Sequence, residues 1–214
     1  MTPDLSLYVI VDPQFTGRRN PIAVARAALL GGATMLQLRD KSASTRVLLT
    51  TAQELVALAH KRGVRLIVND RVDVALAAGA DGVHLGPDDL PVTAARAITG
   101  PRALIGFSAG TPEEARDAEK SGADYLGSGA IHATSSKADA GPAIGVAGLV
   151  AVCGATRLPV VAIGGIGPGR AAPCIAAGAA GVAVITAVTQ AADVERAARA
   201  LRDEVDAARR AERA

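Results

Sequence analysis

The sequence predicts one α/β domain, residues 1–214, closed as a (β/α)8 TIM barrel. Eight short runs rich in apolar and β-branched residues recur along the chain, stretches with helical periodicity separate them, and polar residues gather where the runs end. Strands alternating with helices of this length argue for βα units in a parallel sheet, and eight units in a chain of this size favour closure. An open doubly wound sheet is the alternative arrangement.

The runs are, in order, SLYVIVD, MLQLRDK, RLIVND, GVHLG, LIGFS, DYLGSG, VVAIGGI and GVAVITAV. After the second comes STRVLLTTAQELVALAHKRG, a helical stretch. After the third, RVDVALAAG begins a helix beside Asp70, so that Asp70 reads either as an N-cap or as a ligand. After the fifth, TPEEARDAEKSGA opens with Thr111, Pro112 and Glu114, a capping box with proline at the first helical position. LLGGAT, AHKRGV, LAAGADG, EKSGADY and IAAGAAG each place glycine near a helix end, where a left-handed cap is needed. Residues 171–192 are uncharged for about the length of a membrane span. They are mostly Ala and Gly, however, and Gly178 and Gly181 divide them into a helix and a strand of a soluble interior. The last helix starts near Asp193, and residues 207–214 are expected to fray.

Composition excludes several partners. A formal net charge of +2 and 2% aromatic residues offer neither a basic footprint nor stacking platforms for nucleic acid. Cys153 and Cys174 lack metal or redox spacing, and the N-terminus lacks the basic and long apolar regions of a secretory signal, so the expected setting is cytoplasmic with reduced thiols. No membrane contact is expected, and assembly into a homo-oligomer is left open.

The strand ends carry the chemistry. In extended MLQLRDK, alternation puts Gln37, Arg39 and Lys41 on one face, a candidate anion site. Asn69 and Asp70 end the third run, Asp88 and Asp89 follow the fourth, Ser108 ends the fifth and Thr186 the eighth. The sixth opens into GAIHATSSKADAGP, longer than a simple connector. Closure brings these ends around one mouth, the catalytic face of such a barrel. Asp70 and Asp89, ending adjacent strands, could share Mg2+, which typically takes one or two carboxylates and fills its octahedron with water and phosphate oxygens. DDLP offers two candidate acids, Asp88 and Asp89, between which spacing does not choose, and Asp88 reads alternatively as a loop acid. Gly164 and Gly165 would let backbone N–H groups approach a phosphate monoester.

The ordered set QLRDK, NDRVDVAL, GVHLGPDDLP, GFS, DYLGSGAIHATSSK and AIGGI…GVAVIT resembles the thiamine phosphate synthase family over roughly residues 7–188. The resemblance implies a Mg2+-dependent transferase acting on two small phosphorylated substrates. It would join 4-amino-2-methyl-5-hydroxymethylpyrimidine diphosphate to 4-methyl-5-(2-hydroxyethyl)thiazole phosphate, giving thiamine phosphate and pyrophosphate. By the same resemblance, Gln37, Arg39, Lys41, Asn69 and Lys137 bind the pyrimidine diphosphate, and Asp70 and Asp89 hold Mg2+. Ser108 sits near the diphosphate and pyrimidine, while Thr134, Ser136, Gly165, Ile185 and Thr186 hold the thiazole phosphate. Arg39, Lys41, Ser108 and Lys137 form the implied catalytic set.

The sequence departs from that pattern at several positions. Pro87 replaces the Gln of HLGQ, Gly110 the His of SxHT, and GPVFPTxTK becomes GAIHATSSK, with Ala130, His132 and Ala133 changed and Ser136 keeping only the hydroxyl of Thr. Two rival readings are a thiazole tautomerase-like relative and a non-catalytic binder of thiamine intermediates. His132 is a candidate acid/base, an anion ligand or a partly exposed bystander. His84 is expected to pack within its strand, and His60 to end a helix.

Overall fold

Each predicted run forms a strand, and side-chain alternation along the strands decides the layering. The computed structural model describes residues 3–134, 136 and 142–212. Its first half holds β1 (Leu7–Val11), α1 (Pro21–Leu30), β2 (Met35–Leu38), α2 (Thr45–His60), β3 (Arg65–Asn69), α3 (Val72–Ala78), β4 (Gly82–Leu85) and α4 (Val92–Thr99). The second half continues with β5 (Leu104–Ser108), α5 (Pro112–Lys120), β6 (Tyr125–Ser128), α6 (Gly145–Ala155), β7 (Val160–Ile163), α7 (Ala171–Ala176), β8 (Gly181–Val184), α8 (Thr186–Thr189) and α9 (Val194–Ala211). The strands pair in chain order, all parallel, and β8 returns to β1 with Leu7 opposite Val182, so the barrel is closed rather than an open sheet.

Along β1 the inward residues are Tyr8 and Ile10, which join Met35, Ile67, Tyr125, Val161 and Ala183 in a core inside the barrel. The alternate residues Leu7, Val9 and Val11 face the helix layer in a larger core with Leu36, Leu55, Leu66, Ile105, Leu126 and Leu201. A strand buried on both faces reads as a continuous apolar run, which is why the eight runs are visible in the sequence.

The local signals act as expected at α5. Thr111 accepts the Glu114 N–H, and the Glu114 carboxylate accepts the Thr111 N–H at 3.1 Å. The uncharged stretch 171–192 divides into α7, β8 and α8. Among the described residues no helix is long and apolar enough to cross a membrane. Cys153 and Cys174 are free thiols, and burial raises the pKa of both.

At the C-terminus α9 runs to Ala211, into the stretch expected to fray, and Arg209 donates to the Ser6 hydroxyl and the Ala180 carbonyl. Those partners are remote in sequence, so local composition gave no sign of them.

Candidate active site

The strand C-termini enclose a cavity of about 790 Å3. Of the sequence-predicted residues, Gln37, Arg39, Asn69, Ser108, Thr134, Ser136, Gly165, Ile185 and Thr186 line it. Lys41, Asp70 and Asp89 sit together beside its rim, with Lys41 Nζ 3.9 Å from Asp70 Oδ2. Lys137 lies outside the described residues. Pro87, Gly110 and Ala130, three of the departures, also line the cavity and so shape it.

The Gln37 and Arg39 side of the cavity is built on β2 and the turn after it. Alternation turns Gln37 into the barrel, where its Nε2 donates to the Tyr8 hydroxyl at 2.7 Å. Two residues on, the Arg39 guanidinium donates to Asp12 at 2.5 Å. Asp12 is 1% exposed and its other oxygen accepts the Gln14 N–H, so this carboxylate is held at both ends. It aims Arg39 while using few of the five guanidinium donors. Sequence reasoning missed Asp12, although it ends its strand as Asp70 ends β3.

The acid pair is close enough to interact. Asp70 adopts φ +61°, and its N–H donates to the His84 carbonyl at 2.9 Å. It does not cap α3, whose N-cap position is Arg71 without a side-chain bond, so the capping alternative fails. Asp70 lies close enough to Asp89 for the two carboxyls to influence each other, and Asp89 Oδ2 accepts the Gly86 N–H at 2.7 Å. Burial, then the neighbouring Asp89 carboxyl, push the Asp70 carboxyl from 3.8 up to about 6, against the pull of Lys41 and Arg39. Asp88 is exposed in the loop. A carboxylate held against burial and a second carboxylate nearby is one a cation would relieve, so the position of Asp70 beside Asp89 suits Mg2+. Among the described residues no group of three His, Cys, Asp or Glu forms a metal cage, so such an ion would draw its other ligands from water and substrate.

The opposite wall is built for close backbone approach. Gly164 and Gly165 have φ +99° and +65°. A Cβ on Gly164 would lie 2.6 Å from Ala130 Cα, and one on Gly165 would lie 2.7 Å from His132 Cβ. The N–H groups of Ile131 and His132 donate to the carbonyls of Ile163 and Gly164, so the loop after β6 lies along the end of β7. The Ser136 N–H donates to Thr134 Oγ1 at 3.2 Å. Arg170 donates to the Gly165 carbonyl at 2.9 Å and holds the glycine turn from outside.

His84 corrects an expectation. Rather than simply packing in its strand, it lines the cavity floor, with Nδ1 3.2 Å from the Tyr125 hydroxyl and Nε2 3.0 Å from Ser108 Oγ. Tyr125 in turn lies 2.9 Å from the Tyr8 hydroxyl. Sequence signals for this group existed. His84 faces Gly106 in the ladder, and Gly106 faces Tyr125, so a glycine stands between two large inward residues. His60 ends α2 as expected and contacts Asp81 at 2.9 Å.

The sequence model described as thiamine monophosphate synthase matches residues 7–188. The thiamine-phosphate synthase of Moorella thermoacetica is 51% identical over 207 residues, covering 97% of this chain and 99% of that protein. The thiamine-phosphate synthase of Xanthobacter autotrophicus is 51% identical over 206 residues, 96% of this chain and 98% of that one. Among solved structures, the thiamine phosphate pyrophosphorylase of Pyrococcus furiosus superposes with a TM-score of 0.89 at 43% identity, covering 96% and 97% of the two chains.

Proposed function

Because this chain belongs to the thiamine monophosphate synthase family, we propose that it joins 4-amino-2-methyl-5-hydroxymethylpyrimidine diphosphate to 4-methyl-5-(2-hydroxyethyl)thiazole phosphate. The products are thiamine phosphate and pyrophosphate. The observation that carries this reading is one cavity with two unlike walls. Arg39 lines one side, with Lys41 and the acid pair next to it, and a glycine turn reached by backbone lines the other. That division suits a metal-bound diphosphate facing a phosphate monoester.

The reaction is a dissociative substitution. Pyrophosphate leaves, the electron-rich aminopyrimidine stabilises the resulting methylene cation, and the thiazole nitrogen attacks it. The burden on the protein is the negative charge growing on the leaving oxygen. Arg39 and Lys41, joined by Lys137, supply fixed positive charge there, an effect commonly worth about 10² to 10³ in rate per donor. Asp12 keeps Arg39 oriented before substrate arrives. Gln37 and Asn69 orient the pyrimidine diphosphate, and Ser108 contributes a hydrogen bond beside it. Thr134, Ser136, Gly165, Ile185 and Thr186 hold the thiazole phosphate across the cavity, so its nitrogen faces the methylene carbon. Asp70 and Asp89 would hold Mg2+, which neutralises diphosphate charge when bound. No side chain need act as nucleophile or strong base. The setting we assign is the cytoplasm, from the free thiols and the chemistry.

The retained acid pair and cations disfavour a tautomerase-like relative, for which they have no use. The test is product formation by the purified protein from both substrates, with Mg2+ and with excess chelator. Equimolar thiamine phosphate and pyrophosphate that depend on Mg2+ are expected. A folded protein that binds the pyrimidine diphosphate but forms no product would overturn the catalytic reading in favour of a binder.

A further inference from the structure

Beneath the cavity, four hydrogen bonds link Gln37 to Ser108 through three residues to which the proposed reaction gives no role. Gln37 Nε2 donates to Tyr8 at 2.7 Å, Tyr8 meets Tyr125 at 2.9 Å, Tyr125 meets His84 Nδ1 at 3.2 Å, and His84 Nε2 meets Ser108 Oγ at 3.0 Å. The space is made by glycine. A Cβ at Gly106 would lie 2.2 Å from the Tyr125 ring and 2.5 Å from His84 Nδ1, and one at Gly127 would lie 3.1 Å from His84 Cε1.

Both tyrosines are buried, and burial raises both phenols above their ordinary value, so each keeps one proton to place. With Gln37 as the donor at one end, Tyr8 can pass its own proton only to Tyr125. Tyr125 then donates to Nδ1, the imidazole proton sits on Nε2 and is donated to Ser108, and the Ser108 hydroxyl proton is left for the cavity. If His84 donated from Nδ1 instead, Tyr125 would have to donate to Tyr8. Tyr8 would then accept twice and keep a buried O–H without an acceptor, a loss of about 1–3 kcal/mol. Reversing the whole chain would require turning the Gln37 amide.

We propose that His84 is a positioning residue whose Nε2–H tautomer, set through Gln37, Tyr8 and Tyr125, makes Ser108 a hydrogen-bond donor to the substrate diphosphate. The diphosphate in this statement rests on the synthase reading. The tautomer is a property of the free protein.

The test has two arms. Two-bond 1H–15N spectra of the full-length labelled protein, with the His84 signals identified by their loss in His84→Gln, should show a proton on Nε2 alone. An Nδ1–H or doubly protonated ring would overturn the proposal. In the second arm Tyr125→Phe keeps the ring and cuts the chain. It should raise KM for the pyrimidine diphosphate about tenfold, the size of one lost charge-assisted bond, with KM for the thiazole phosphate unchanged. Combined with Ser108→Ala it should add little further, because both changes remove the same bond. Additive losses, or equal effects on both substrates, would make Tyr125 a packing residue and overturn the proposal. A wild-type protein without turnover would count against the synthase reading alone, and the spectra would still decide the tautomer.

Discussion

Asp70 is the residue where charge, fold and ligand meet most directly. Its carboxyl is raised from 3.8 to about 6, first by burial and then by Asp89. A group whose folded pKa is raised stabilises the fold fully at pH below about 4, and that contribution is lost as pH rises through about 6. Metal-free protein should therefore lose stability across that window, by about 1 kcal/mol once the exposure of the side chain is allowed for. Without divalent cation at pH 8, Asp70→Asn should melt about 2–4 °C above the wild type, and the two should coincide near pH 4. Added Mg2+ should raise only the wild type, and turnover of the variant should fall by 10² or more. Equal midpoints at pH 8 would mean that the acid pair carries no charge strain. Asp12 makes the opposite case. It pairs with Arg39 from a buried position and orients it, so Asp12→Asn should lower stability by about 3 kcal/mol in denaturant titration and raise KM for the pyrimidine diphosphate. The two residues also differ in legibility. Asp70 stood out beside Arg39 and Lys41, whereas Asp12 acquires its role only when β1 and β2 pair, with Val11 opposite Leu38.

At the scale of elements, the glycine turn after β7 tests whether backbone shape or side chains make the proposed phosphate wall. Gly165 needs glycine twice over, for φ +65° and because a Cβ would meet His132 Cβ at 2.7 Å and the Ala133 carbonyl at 2.9 Å. Gly79 has φ +69° but open space around it. Both Gly→Ala changes should cost about 1–2 kcal/mol for the left-handed backbone, but only Gly165→Ala should also raise KM for the thiazole phosphate, by tenfold or more. Matching KM values for the two variants would remove the turn from the site. The strands, the α5 capping box and the glycine-ended helices were legible because each is written in a few consecutive residues. The floor of the cavity was less so. His84 and Tyr125 come from β4 and β6, and only the closed ladder through Gly106 brings them together.

The whole molecule is held shut at a seam, and the seam lies at the end opposite the site. Strands β1 and β8 are the first and last of the barrel, so their pairing is the contact of longest sequence separation in the ladder. Composition at residues 207–214 suggests a frayed end, yet Arg209 reaches from the last turns of α9 to the Ser6 hydroxyl, just before β1, and to the Ala180 carbonyl, just before β8. One guanidinium therefore clamps both strands where the chain closes, and Ser6 is itself fixed by Asp4 at 2.5 Å. Hydrogen bonds from a charged donor contribute about 1.5–3 kcal/mol each, less where water competes. Removing residues 207–214 should lower the thermal midpoint by roughly 5–10 °C, and Arg209→Met should reproduce most of that loss, whereas removing residues 212–214 should change little. Because the seam is at the strand N-termini and the proposed substrate site is at the C-termini, KM for both substrates should stay within about twofold in every one of these variants. A truncated protein with an unchanged midpoint would show that strand pairing alone closes the barrel. A midpoint that falls together with a rise in KM would show instead that the seam and the mouth are coupled through the sheet.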